Sequence, residues 1–599
     1  MAMSGTRKAI LIFGGIFAAL TFVVLVGALI IWMALFHKSE PTIRDNSVLV
    51  LRVYGPLPDY SPDDPFKKLF GGPDQSLTGL VMQFKKAKVD KRIKTILLDV
   101  NMSGIGWGKA EEIRDAITDF RSSGKEVYAY VEFGLNKEYY IATAANKIIV
   151  PPPGELFING LAADVMFFRG SLDKLGIYPD IYQIGKYKTA ANMFKEKEMT
   201  EAHRQFINEF LEDLYQRYIN TIAQARNKTP DEVRALIDNA PYNAQQAKDA
   251  GLIDEAMYRD QVEAMLKKQL GQKESEPLIA VRSHDYRDVS PESLGLNKGE
   301  RIAVIYATGE IGSGSSKNAP DGDQSIGSDT VAKALNDAAA DKTIKAIVLR
   351  VDSPGGSGLA SDIIWRAVET ANQKKPVVVS MSDVAASGGY YISASASKII
   401  AEPSTITGSI GVLAGKPVMR GFYDWLGISN EYVLRGKTAG MFRETEKFSD
   451  DERVKFEEWI KNTYYNDFVP KVAKGRGKDA GYVDSVAQGR VWTGGQAKEK
   501  GLVDDFGGLD KAIDVAKQLA KIPADKGVER VILPYPMTFL EQLFYGGGDS
   551  SNTKLEQQQR AVLAGMPEDA RRAFRYMQLM DRMKNGETML LMPYDLRVK

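Results

Sequence analysis

Two stretches of this chain repeat one another at a fixed spacing, and that duplication constrains the fold more than any other feature. Ile93-Lys94-Thr95-Ile96-Leu97-Leu98-Asp99-Val100 parallels Ile344-Lys345-Ala346-Ile347-Val348-Leu349-Arg350-Val351. Tyr139-Tyr140-Ile141 parallels Tyr390-Tyr391-Ile392, and Lys147-Ile148-Ile149 parallels Lys398-Ile399-Ile400. All three matches share one offset of 251 residues. A register held over three separated blocks marks a tandem duplication. We place the first repeat at 46–270, a polar linker at 271–300 and the second repeat at 301–525. A chain of 599 residues is too long for one ordinary core, which fits that division. In the second repeat, Val/Ile-rich runs at 302–306, 346–351 and 377–381 read as strands, and 329–340 and 359–373 as helices. That alternation predicts βαβ units and a mostly parallel α/β sheet whose strands are buried on both faces.

Outside the repeats lie two further segments. From Ala9 to Phe36 there are 28 residues without a charge, against the roughly 20 that span a bilayer. The run is too long for the apolar part of a cleavable signal peptide, and the exit around Phe36-His37-Lys38 offers no small-x-small cleavage site. We read residues 1–45 as carrying an uncleaved transmembrane signal anchor at 9–36. Arg7 and Lys8 before it nearly balance Lys38 and Arg44 after it, so charge bias leans only to N-inside. The tail, 526–599, has a Gly546-Gly547-Gly548 break, a charged segment that reads as helical, and a short apolar run, Met589-Leu590-Leu591-Met592. The tail carries no chemical motif, and docking or oligomerisation is the expectation left for it.

The available chemistry is narrowed by what is missing. The chain has no cysteine, which excludes a thiol nucleophile, disulfides and Cys-based metal sites. Its three histidines, His37, His203 and His284, form no H-E-x-x-H motif, and we expect no metal and no organic cofactor. A net charge of +1 gives no reason to expect nucleic acid as a partner. Two turns of the second repeat stand out. Asp352-Ser353-Pro354-Gly355-Gly356-Ser357 directly follows a strand. Val384-Ala385-Ala386-Ser387-Gly388-Gly389-Tyr390 follows another and opens an apolar helix. A serine on a strand-to-helix turn among small residues is placed for attack, in the manner of a nucleophile elbow, although Ala385 holds the first glycine position. The N–H of Gly388 with that of Gly355 or Gly356 can form an oxyanion hole. At the repeat offset Ser387 falls on Asn136, Gly388 on Lys137 and Gly389 on Glu138, so the first repeat keeps the strands and lacks the nucleophile. With no histidine in the second repeat, the base is sought among lysines, whose neutral form burial favours. Lys188 in Gly185-Lys186-Tyr187-Lys188 and Lys437 in Gly436-Lys437-Thr438-Ala439 are the candidates, and the residues alone do not choose between them. Glu431 stands where a Walker A loop would need glycine, so a nucleotide site is rejected.

These residues carry a family resemblance. The anchor, Gly-Lys-Tyr-Lys at 185–188, Ser-Pro-Gly-Gly at 353–356, Ala-Ala-Ser-Gly-Gly-Tyr at 385–390, Thr-Gly-Ser-Ile-Gly at 407–411 and Val491-Trp492-Thr493-Gly494 together resemble the long, tandem-repeat form of the signal peptide peptidase A (protease IV) family. The resemblance covers about 9–530. It implies a Clp protease/crotonase-like fold in each repeat and a Ser–Lys dyad with Ser387 as nucleophile. Lys188 would be the base, oriented by Ser409, and the backbone of Gly388 and of Gly355-Gly356 would be the oxyanion donors. Single-repeat relatives take the lysine from the serine's own domain, about fifty residues on. Lys437 lies 50 residues after Ser387 and stands as the alternative base. The resemblance further implies cleaved signal peptides as substrates, contact with membrane lipid, a homo-oligomer (a tetramer), and a catalytic part on the outer side of the cytoplasmic membrane. Two other functions fit the same turns less fully. A crotonase-like acyl-CoA hydratase or hydrolase would need paired carboxylates, where only Asp383 is near. A non-catalytic membrane scaffold would have no use for the serine.

Overall fold

The computed structural model describes residues 21–22, 26–27, 41–61, 75–318, 324–534, 587–592 and 597–598. The expected membrane anchor at 9–36 lies outside them apart from four residues, as does the tail from 535 to 586. Among the described residues no helix is long and apolar enough to cross a membrane.

Each repeat builds a parallel sheet, and the two sheets share one strand order. The first runs Glu255–Ala256, Lys147–Val150, Glu126–Tyr130, Ile93–Ser103, Ser47–Gly55, Ala280–Arg282. The second runs Asp505–Phe506, Lys398–Ala401, Val377–Ala386, Ile344–Ser353, Glu300–Thr308, Val528–Leu533. The central strands are Val/Ile/Leu runs because helices cover both faces: Ile347, Leu349 and Val351 pack toward one core, Ala346 and Val348 toward another. The helices Ser328–Ala340 and Gly358–Lys374 lie where expected. Ala280–Arg282 falls inside 271–300, the polar stretch read as a linker, and Val528–Leu533 falls inside the tail. Each supplies the last strand of its sheet. Tyr286, also within 271–300, is fully buried, and Lys86 Nζ donates to the carbonyls of Tyr286, Arg287 and Val289 at 2.8–3.0 Å.

Among the contacts that join the repeats, two bear directly on the position of the site. First, Tyr178–Ile184 leaves the first repeat and pairs antiparallel with Val412–Val418 of the second through seven residue pairs. Second, the helix Trp107–Arg121 docks its polar face on the second sheet. Buried Arg350 donates to Asp59 Oδ1 at 2.8 Å and to Glu112 Oε2 at 2.6 Å, and to the hydroxyls of Ser380 and Ser382. Glu111 of the same helix accepts from the amide and hydroxyl of Ser404. A buried charge is tolerated only when paired and hydrogen-bonded. Removing one member of such a group leaves the others uncompensated. Arg350→Met should therefore destabilise the chain by about 3–5 kcal/mol, read as a shift in denaturant midpoint. Adding Asp59→Asn and Glu112→Gln should recover most of the loss, and a single variant within 1 kcal/mol of wild type would show the docking to be held elsewhere.

Candidate active site

The strand Val377–Ala386 ends at Ser387, which caps the helix Gly388–Ser393. Ser387 has φ +54° and ψ −109°. A residue with a Cβ is strained by roughly 1–3 kcal/mol in such a conformation. It persists because the Ser387 N–H donates to Gly408 O at 2.8 Å and its carbonyl accepts from Tyr391 N–H at 2.8 Å. Ser387 thus stands on a sharp strand-to-helix turn, the placement expected from the sequence.

Lys188 reaches this hydroxyl from the other repeat. It follows Tyr178–Ile184 by four residues, and its Nζ lies 2.7 Å from Ser387 Oγ, 2.8 Å from Ser409 O and 3.1 Å from Ser409 Oγ. All three residues are fully buried. Burial alone holds the amine well below its ordinary range, and no described carboxylate forms an ion pair with it. Lys437 is exposed, in the turn after 436, and makes no hydrogen bond to Ser387.

The two glycine turns pack backbone to backbone. A Cβ on Gly355 would sit 2.8 Å from Gly388 N, and one on Gly389 would sit 2.7 Å from Ser353 O. The glycines thus bring the amides of 355–356 and 388 together beside Ser387. Gly355 N–H is engaged by Ser353 Oγ at 3.2 Å, while Gly388 N–H donates to no described residue. The apolar tail strand Met589–Leu591 runs antiparallel to Gly355–Ser357 and also meets Leu413, so the site is walled by a segment whose position the sequence did not indicate. The first repeat's equivalent turn is plugged: Glu138 Oε1 accepts from Ser103 N–H at 2.7 Å and Ser103 O–H at 2.6 Å. Asn136, at the nucleophile position, donates to Gly160 O.

Sequence reasoning missed the roles of two glycines, Gly411 and Gly489, and of three charges, Lys109, Asp352 and Asp383. A Cβ on Gly489 would fall 2.5 Å from the backbone of Lys188, and one on Gly411 would fall 3.0 Å from its Cδ. These glycines form the walls of the lysine's slot, and their signal was only that of turn residues. Asp383 accepts from the N–H groups of Gly106 and Lys109 at 2.9 and 2.8 Å, capping the interface helix instead of facing Ser387. It therefore supplies no catalytic carboxylate of the kind a hydratase would need. Lys109 Nζ lies 2.8 Å from Asp352 and 3.7 Å from Asp383, tying together the starts of both active-site turns. Burial, with Asp59 and Asp383 nearby, pushes the Asp352 carboxyl up to about 7 against the pull of Lys109. Among the described residues no group of side chains could hold a metal ion.

A doubled α/β fold with a buried amine against a serine on a strained strand-to-helix turn, and amide donors beside it, is the build of a histidine-free serine hydrolase. Comparison with known proteins narrows this to one family. The profile of peptidase family S49 matches residues 119–273 and again 369–523. The chain is 36% identical over 517 residues to "Serine protease SPPA, chloroplastic" of Arabidopsis thaliana, covering 86% of this chain and 75% of that one. It is 34% identical over 525 residues to "Protease 4" of Salmonella typhi, covering 84% and 82%. A match to "Putative protease MJ0651" of Methanocaldococcus jannaschii, 34% identical over 244 residues, spans 40% of this chain and 78% of that one. The chain belongs to peptidase family S49, in tandem-repeat form, and is a serine protease.

Two outcomes follow from the lysine's slot. In the unfolded chain Lys188 keeps its ordinary value of 10.5, so between the lowered folded value and pH 10.5 the unfolded state binds more protons. Burying the amine therefore costs most at low pH, and stability rises with pH through that window. Lys188→Met should raise the melting temperature at neutral pH, with its advantage over wild type closing as pH approaches 10.5. A gap independent of pH would mean that the amine is charged in the folded chain. Gly489→Ala, with φ +73° and a Cβ inside Lys188, should lower peptide hydrolysis at least tenfold while circular dichroism stays unchanged.

Proposed function

We propose that this chain is a membrane-anchored endopeptidase that cleaves extended apolar peptides, among them cleaved signal peptides, with Ser387 as nucleophile and Lys188 as general base. The observation that carries this reading is the 2.7 Å contact between Lys188 Nζ and Ser387 Oγ in a buried, carboxylate-free slot. A neutral amine has two N–H bonds and one lone pair. Ser409 O and Oγ accept the two N–H bonds, which leaves the lone pair for the Ser387 proton. As that proton transfers to Lys188, Ser387 Oγ attacks the scissile carbonyl and the oxyanion forms beside Gly388 N–H, with Gly356 the second donor. The ammonium then protonates the leaving amine, and the C–N bond breaks to give an acyl-enzyme. A water enters, gives its proton to Lys188 and hydrolyses the ester, and Ser387 recovers its proton.

The same reading takes each repeat as a Clp protease/crotonase-like unit, the run 9–36 as a single membrane span, and the catalytic part as lying outside the cytoplasmic membrane in contact with lipid. It takes the working form as a homo-oligomer, a tetramer. The relatives named for SPPA and Protease 4 support the activity.

Hydrolysis of a fluorogenic leucine-rich peptide tests the site. Lys188→Ala should cost about 10²–10⁴-fold, and Ser387→Ala should cost at least as much. Lys437→Ala should stay near wild type. If Lys437→Ala is inactive and Lys188→Ala is not, the base belongs to the serine's own repeat. For the wild type, kcat/KM should fall about tenfold per pH unit below the Lys188 pKa and level off above it.

A further inference from the structure

One long helix of the second repeat carries a residue more than its twin in the first. The helix Glu201–Arg226 runs unbroken for 26 residues between the N-cap Thr200 and the left-handed C-cap Asn227. Its twin runs from the N-cap Ser449 to the left-handed C-cap Gly477. It does so in segments of 13, 6 and 8 residues, Asp450–Asn462, Thr463–Phe468 and Val469–Arg476, one residue more in all. The middle segment is a π turn, which takes up the extra residue. Such turns are rare, and they occur frequently at functional sites. Counted from the N-caps, Tyr464 of the π turn stands where Tyr215 stands in the unbroken helix. Tyr215 is half-buried, whereas Tyr464 is fully buried. The Tyr464 hydroxyl donates to Asp484 Oδ1 at 2.8 Å and accepts from the N–H of Gln488 at 3.2 Å.

Gln488 has φ +50°, a conformation that a residue with a Cβ keeps only where its surroundings over-determine it. Its contacts do so. Besides the bond to Tyr464, its Nε2 donates to Asp484 Oδ1 at 2.5 Å, its Oε1 accepts from Lys186 N–H at 3.2 Å and its main-chain O accepts from Tyr187 N–H at 2.8 Å. The last two bonds hold the loop that presents Lys188. The next two residues grip the other wall of the slot. Gly489 N–H donates to Ile410 O at 2.7 Å, and Arg490 O accepts from Ser409 N–H at 2.7 Å. Ser409, also at φ +50°, is held in the same way. Residues 488–490 thus form a wedge between the loop that carries the amine and the loop whose Ser409 O and Oγ receive it. Counted back from the N-caps Asn243 and Thr493, the place of Gln488 is taken in the first repeat by Asp238, the last residue of the helix Pro230–Asp238.

We propose that Tyr464 and Gln488 are positioning residues for the proton transfer: the π turn locks 488–490 in place, and that wedge sets Lys188 against Ser409 and so directs the amine at Ser387. The proposal rests on the reading of Lys188 as general base. Reactive groups are sensitive to such settings, since a misplacement of about 1 Å can cost on the order of 10²-fold in rate. The amine is held only by its hydrogen bonds to Ser409 and Ser387, with no ion pair to a described carboxylate, so the walls of its slot carry the aim. They also keep it dry. Burial is what lowers the proton affinity of Lys188, and a loosened, wetter slot restores part of that affinity.

Tyr464→Phe and Gln488→Ala, made separately in the full chain in mild detergent, are assayed with the fluorogenic leucine-rich peptide across pH. Tyr215→Phe is the matched control from the unbroken helix, and Lys188→Ala is run alongside. Tyr464→Phe removes both bonds of one hydroxyl, and Gln488→Ala removes the side-chain bonds to Asp484 and Lys186. Each should lower kcat about tenfold with KM unchanged, and each should move the midpoint of the kcat/KM profile upward in pH. Tyr215→Phe should match wild type in both. Loss of folded enzyme alone would lower kcat and leave the midpoint where it is. A fall in kcat at an unchanged midpoint therefore overturns the positioning role, and so does wild-type kcat in both variants; with Lys188→Ala inactive, the base reading stands in either case. Activity retained by Lys188→Ala overturns the base reading and this one with it.

Discussion

Seven residue pairs between Tyr178–Ile184 and Val412–Val418 decide where the site can form. A main-chain ladder fixes register through side-chain alternation, because a slip of one residue turns every side chain to the other face. Lys188 follows the ladder by four residues, and the short turn between them is pinned at Tyr187 N–H by Gln488 O at 2.8 Å. The lysine is thus aimed by backbone geometry, with no ionic partner among the described residues to raise its proton affinity. That division matters physically: an aspartate near enough to hold the amine in place would also hold it protonated.

Charge is instead concentrated a layer below, where the two repeats meet. Asp383 precedes Ser387 by four residues and caps the helix Trp107–Arg121. Asp352 precedes Gly355 by three and is bound by Lys109 of that helix, and its Oδ1 accepts from Val384 N–H at 3.1 Å. The interface and the site are therefore built from the same two strand ends. The first repeat has lost the chemistry of its own turns, with Glu138 filling the place of a glycine, yet it keeps two tasks: to present Lys188 and to brace the turns that bear Ser387 and the amides beside it.

The strands were legible because a parallel sheet buried on both faces demands continuous Val/Ile runs. Ser387 stood out because glycine pairs at strand ends are easily seen. The 271–300 stretch was misread since an edge strand of three residues, Ala280–Arg282, leaves little apolar signature amid polar neighbours. Arg350 looked like one charge at the end of an apolar run; nothing local says that Asp59 and Glu112, both more than 230 residues away, converge on it. The choice of lysine was likewise non-local. Lys188 and Lys437 share similar surroundings in sequence, and only the crossing of one arm into the other repeat separates them. Gly411 and Gly489 carried no signal beyond that of ordinary turns, because their function is the space they leave for a side chain from elsewhere.

The Lys188 to Ser387 contact crosses the repeat boundary, and on the dyad proposed above this has a consequence for how the molecule reports on itself. The Lys188 to Ser387 contact tolerates little displacement, whereas each repeat has its own core and sheet. Thermal opening of the boundary would extinguish turnover while both halves still look native to far-ultraviolet spectroscopy. Turnover is then a strain gauge for the seam between the halves, and its loss on heating need not coincide with their melting.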